Sequence, residues 1–148
     1  MKKRSIFSCI GVLTVSAMCF FAFPSTVHAE GWDSTSGEWK YLDSANNPVS
    51  EAWRMSGDSW YYLGDDGNIV KDSMLTIGDG IYYLNADGVM AANRWVLAKD
   101  IDDNDAWYYF GADGKAYKGR DGRVYTREIN GKRYLFDEEG VMLTGFFD

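Results

Sequence analysis

The sequence predicts an all-β fold, a stack of short β-hairpin repeats preceded by an N-terminal signal peptide helix. Three observations carry this reading. An aromatic quartet recurs as Trp60-Tyr61-Tyr62-Leu63, Ile81-Tyr82-Tyr83-Leu84 and Trp107-Tyr108-Tyr109-Phe110, with looser copies at Trp39-Lys40-Tyr41-Leu42 and Arg133-Tyr134-Leu135-Phe136. A residue that tolerates the left-handed backbone region stands seven positions after the first residue of each quartet: Asn46, Gly67, Gly88, Gly114 and Gly140. The quartets return after 21, 21, 26 and 26 residues. Such a period marks a repeat architecture in which each unit buries its apolar face only by stacking on its neighbours.

Residues 1–29 stand apart from the repeats. Lys2, Lys3 and Arg4 precede an apolar run from Ile6 to Phe23, and Val27-His28-Ala29 supplies small residues for cleavage. This is the pattern of a secretory signal peptide, with an uncleaved anchor as the alternative. Its removal leaves a single repeat domain, residues 30–148. Cys9, Cys19 and His28, the chain's only cysteines and histidine, leave with the signal. The domain therefore holds no disulfide, no Cys/His metal site, no Ser-His-Asp triad and no Cys-His pair. The 15 bases lose Lys2, Lys3 and Arg4, leaving 12 against 22 acids, a net charge of −10. Such a surface disfavours nucleic acid, anionic polymer and anionic lipid and attracts cations.

Within each unit the quartet alternates with the period of a strand. Its fourth position is always apolar (Leu42, Leu63, Leu84, Phe110, Phe136) and is assigned to the core. Its first position (Trp39, Trp60, Ile81, Trp107, Arg133) is the candidate surface or ligand face. The second-position tyrosines Tyr61, Tyr82, Tyr108 and Tyr134 read as core, and Met90 and Met142 as packing residues. A turn precedes each quartet. Asn130-Gly131 is the clearest, because a type I′ hairpin turn needs positive φ at both central residues. A second series lies seven residues past the glycine position: Trp53, Met74, Trp95, Asp121 and Phe147, with Trp32 ahead of the first quartet. A tight hairpin places Trp32 beside Trp39 and Trp53 beside Trp60. Eleven residues separate Trp95 from Trp107 and read as a longer hairpin tip, and residues 118–123 read as an extra basic turn. Asp100, Asp102, Asp103 and Asp105 fail the calcium-loop pattern, which wants Gly and Glu where Asp105 and Gly111 stand.

The quartet, the Asp-Gly turn and the Trp seven residues on resemble the choline-binding, or cell-wall-binding, repeat of Gram-positive surface proteins and phage lysins. The residues that carry the resemblance run from Trp53 through Trp60-Tyr61-Tyr62-Leu63, Gly67, Tyr82-Tyr83-Leu84, Gly88-Val89-Met90, Trp95 and Trp107-Tyr108-Tyr109-Phe110 to Gly114. Related repeats occur in glucan-binding regions and clostridial toxin tails, and residues 129–140 resemble those equally well. The resemblance implies a left-handed solenoid with ligand cages of three aromatic rings between neighbouring hairpins. It implies a secreted, non-enzymatic module at the cell wall or cell surface, with no cofactor, holding choline or choline-bearing teichoic acid. A glucan-type polysaccharide and a structural or adhesive role are the alternatives. Carried onto this chain, one cage joins Trp32 and Trp39 with Tyr61 or Tyr62. A second joins Trp53 and Trp60 with Tyr82 or Tyr83. The unit with Met74 and Ile81 is expected to be empty. Trp95 and Trp107 are both present, but the insertion separates them. Arg133 would repel a cation from a fifth cage. An exposed final hairpin predicts a weak end-to-end homodimer.

Overall fold

The computed structural model describes residues 30–143, and its described part is all-β. The expected signal peptide and the final segment with Phe147 lie outside these residues. Eleven strands occur among the described residues: β1 (Gly31–Asp33), β2 (Lys40–Leu42), β3 (Ala52–Ser56), β4 (Ser59–Leu63), β5 (Ser73–Ile77), β6 (Gly80–Leu84), β7 (Arg94–Lys99), β8 (Asp105–Phe110), β9 (Tyr125–Ile129), β10 (Lys132–Phe136) and β11 (Met142–Leu143). They pair as antiparallel hairpins β1-β2, β3-β4, β5-β6, β7-β8 and β9-β10, with β11 added to the last. Each quartet forms the second strand of its hairpin.

The joints between hairpins repeat as closely as the sequence does. Each unit closes with a turn in which the αL residue donates its N–H three residues back: Asn46 to Asp43, Gly67 to Gly64, Gly88 to Asn85, Gly114 to Gly111 and Gly140 to Asp137. Their φ values lie between 65° and 82°, the region that favours Gly and Asn. Asn130 and Gly131 both have positive φ, 52° and 77°, as a type I′ turn requires. Hydrogen bonds then tie successive hairpins. The N–H two residues past the glycine reaches the carbonyl of the preceding quartet's first residue: Ile69 to Trp39 (3.3 Å), Met90 to Trp60 (2.9 Å) and Ala116 to Ile81 (2.8 Å).

Period-2 alternation turns the second and fourth quartet residues toward the hairpin before. Leu63, Leu84, Phe110 and Phe136 are fully buried there. Each such side chain contributes about 1.5–3 kcal/mol. Leu42 is only half-buried, since no described hairpin precedes its own.

Acidic side chains hold several turns. Asp43 Oδ1 accepts from the N–H groups of Ala45 and Asn47, and Asp100 Oδ1 from those of Asp102 and Asn104. Asp66 does the same for Asn68. These bonds, first of all the backbone N–H of Asn47, Asn68 and Asn104, hold the three carboxyls below the usual carboxylate range. Because the folded value is depressed, this stability is fully present above the unfolded value of about 3.9 and is lost as pH falls through the folded one. Melting temperature is therefore expected to hold from pH 7 to 5 and to fall below pH 4. A flat profile into strong acid would contradict this role.

Two expectations from the insertions change. The inserted residues extend the hairpin at its tip, over 99–105, beyond the common ladder, so its register survives. Leu97 faces Trp107 as Met55 faces Trp60. Asp121 does not continue the Trp53 series. It sits with positive φ in the tight Arg120–Arg123 turn, and Thr126 occupies the position opposite the third quartet residue, Leu135.

Candidate functional site

The residue seven places ahead of each of the first three quartets faces its third member, not its first: Trp32 opposite Tyr41, Trp53 opposite Tyr62 and Met74 opposite Tyr83; Trp95, twelve places ahead of its quartet, likewise faces Tyr109. The two tryptophans of a hairpin therefore sit diagonally on one face, which looks toward the following hairpin. That hairpin answers with its second-position tyrosine.

Two clefts result. The first, about 520 Å³, is lined by Trp32, Trp39, Tyr61 and Ile69, with Ser56, Lys71, Ala86 and Asp87 around them. Tyr61 meets Trp32 edge-on with ring centroids 5.5 Å apart. The second, about 310 Å³, is lined by Trp53, Trp60, Tyr82, Met90 and Asp113, with Tyr82 5.0 Å from Trp53. Tyr62 and Tyr83 are placed otherwise. Tyr62 shores Trp53 from within its own hairpin at 5.1 Å. Tyr83 packs toward Phe110, and its hydroxyl donates to Asp72 at 3.0 Å. Burial first, and then that carboxylate, push the Tyr83 hydroxyl pKa up.

The third unit is filled rather than open. Met74 and Ile81 pack against the cluster of Ala91, Ala106, Tyr108, Phe110 and Ala116, and Tyr108 is only 2% exposed. Alanine at position 116, where the other units have Ile69 and Met90, leaves room for that ring. In the fourth unit Trp95 and Trp107 come within 6.5 Å despite the insertion, and Tyr134 reaches Trp95 at 4.8 Å. Arg133 is exposed beside Glu128 on the last hairpin. Among the described residues no group of His, Cys, Asp and Glu could hold a metal ion.

Six lining residues carry no signal in the sequence, Ser56, Ile69, Lys71, Ala86, Asp87 and Asp113, and one, Met90, reads there as packing. Ile69 lines the first cleft, and Met90 the second. Both stand two residues past the αL glycine. Asp87 and Asp113 reach the rims from one hairpin further along, and both precede that glycine. Gly114 packs against one of the lining residues, Met90. A Cβ on Gly114 would lie 2.4 Å from Met90 Sδ, and φ there is +77°. Gly114→Ala is expected to push the thioether into the second cleft and cost about 1–2 kcal/mol. A thermal melt would register the loss, and an unchanged melt would contradict the packing.

A solenoid of hairpins with ring-walled clefts at its joints is a ligand-binding repeat module by architecture. The choline-binding repeat family matches residues 49–95, and the putative cell wall binding repeat matches 101–116 and 127–142. The chain belongs to the choline-binding repeat family and carries cell-wall-binding repeats.

Solved structures agree. The modular autolysin LytC of Streptococcus pneumoniae, in complex with a synthetic peptidoglycan ligand, is 28% identical with a TM-score of 0.59, over 77% of this chain and 24% of that one. Choline binding protein F of the same organism is 29% identical with a TM-score of 0.53, over 78% of this chain and 34% of that one. A truncated alternansucrase from Leuconostoc mesenteroides shares the fold, with a TM-score of 0.60 at 20% identity over 77% of this chain and 10% of that one. The chain thus spans about a third or less of these relatives. No curated protein matches it.

Proposed function

We propose that the chain is a secreted, non-catalytic wall-binding module, residues 30–148 after loss of the signal, that holds choline groups of a wall polymer in aromatic cages. The observation that carries this is the second cleft. Trp53, Trp60 and Tyr82 offer ring faces, Met90 a thioether, and Asp113 a carboxylate at the rim, with no cationic side chain in the lining.

A quaternary ammonium donates no hydrogen bond. It is held by cation–π attraction, worth about 0.5–2 kcal/mol per ring. The carboxylate adds attraction for a cation that a neutral sugar would not feel, which favours choline over glucan. The first cleft works the same way through Trp32, Trp39 and Tyr61, with the Lys71 ammonium as a counterweight to Asp87. The cluster of Trp95, Trp107 and Tyr134 is a third candidate. Weak sites in series gain by avidity on a polymer that displays many cholines.

Retention tests the ligand. The protein is expected to stay on a choline-coupled resin, to elute with free choline, and to pass through dextran resin. Dextran retention without choline retention would transfer the same clefts to carbohydrate.

A further inference from the structure

Positive charge is concentrated in one part of this acidic domain. Residues 115–133 hold seven of its 12 bases and only two of its 22 acids, Asp121 and Glu128, while the rest carries five bases and 20 acids. The fold gathers this segment around the last hairpin. Arg120 and Arg123 bracket the inserted tight turn, Lys132 and Arg133 open β10, and Arg127 faces Tyr134 across the ladder. All five are exposed. Among the described residues Arg123, Arg127, Lys132 and Arg133 form no ion pair, and Arg120 shares Asp79 with Lys115.

Neighbouring cations without partners repel one another, so packing gives no reason for their concentration. Arg127 lies over the Tyr117 ring at 5.5 Å. Among the described residues Arg127 forms no ion pair, and a guanidinium can stack on a ring while its N–H donors bind a phosphate. Asp79 beside Arg120, Glu128 opposite Arg133 and Glu138, which accepts from the Gly122 N–H, lie on the same surface, and the bases outnumber them; physiological salt limits the reach of more distant acids to about 8 Å.

We propose that this surface is a second binding site, for the phosphodiester groups of an anionic polymer. It adjoins the fourth ring cluster. Arg127 stands opposite Tyr134, whose ring is 4.8 Å from Trp95. A polymer bearing phosphate and quaternary ammonium would engage both. The choice of a wall polymer rests on the proposed function, whereas the phosphate contact does not.

Poly(glycerol phosphate) without choline, titrated calorimetrically into the intact protein, separates the two. Binding is expected at low ionic strength, weaker at physiological ionic strength. R123Q/K132Q/R133Q is expected to weaken it about tenfold or more while leaving the choline response intact. Lys99→Gln, at the tip of the β7-β8 hairpin and paired only with Asp105, is expected to change nothing. Should the triple variant melt differently from its parent, Lys132→Gln alone is expected to weaken binding about threefold. The proposal is overturned if the parent shows no binding at low ionic strength, if the triple variant binds as tightly as the parent, or if Lys99→Gln weakens binding as much. Tighter binding of single-stranded DNA at matched phosphate concentration overturns the choice of a wall polymer.

Discussion

Phe110→Ala is expected to destabilise the domain by about 3–5 kcal/mol, the range for removing a buried phenylalanine ring. Phe110 is fully buried and belongs to the cluster that joins the third and fourth hairpins. A stacked array has no alternative core to absorb the loss, because each hairpin buries its apolar face mainly against its neighbours. Domains of this size have about 5–15 kcal/mol in total, so the variant sits near its stability threshold. A melting temperature lower by roughly 10–25 °C is expected. A shift of a degree or two would mean that the hairpins fold independently of the fourth-position residues.

Trp60→Ala is expected to do the reverse, sparing stability and removing ligand. Trp60 is 41% exposed and, among the described residues, has no ring–ring neighbour of the kind that Trp53 finds in Tyr62 and Tyr82. Its truncation therefore costs the fold about 1 kcal/mol or less. Its ring face is one of three in the second cleft, and its loss is expected to weaken choline there by up to about thirtyfold. Trp53→Ala makes a useful contrast, since that ring supports its own strand pair and would lower both stability and binding. Equilibrium dialysis against choline, beside a thermal melt of each variant, distinguishes the two roles. Full choline binding by Trp60→Ala would remove the second cleft from the account.

These contrasting roles also explain what the sequence does and does not reveal. The fourth-position core and the αL residues are legible because each follows from a local rule, strand alternation or the sterics of positive φ. The second cleft is legible as Trp53 with Trp60, since both lie on one hairpin. The closing ring is not, because Tyr82 and Tyr83 are adjacent tyrosines and only the stacking of one hairpin on the next decides which faces back. Tyr61 and Tyr82 read as core by the alternation that places Leu63 and Leu84 there. In a stack, however, the face turned to the previous hairpin is also the lid of that hairpin's cleft. Ile69, Met90, Asp87 and Asp113 come from turns whose partners lie one or two hairpins back, a separation no short-range pattern encodes. Spacing misassigned Asp121 because the inserted turn shifts the count without shifting the ladder.

The central claim is that quaternary ammonium binds in ring cages of the folded array. Choline titrated into the intact protein, with tryptophan fluorescence and melting temperature followed together, tests it most directly. A ligand that binds only the folded state must raise its stability. The account predicts a saturable fluorescence change and a rising melting temperature, both diminished in Trp60→Ala. A folded protein whose fluorescence and melting temperature ignore choline would contradict it.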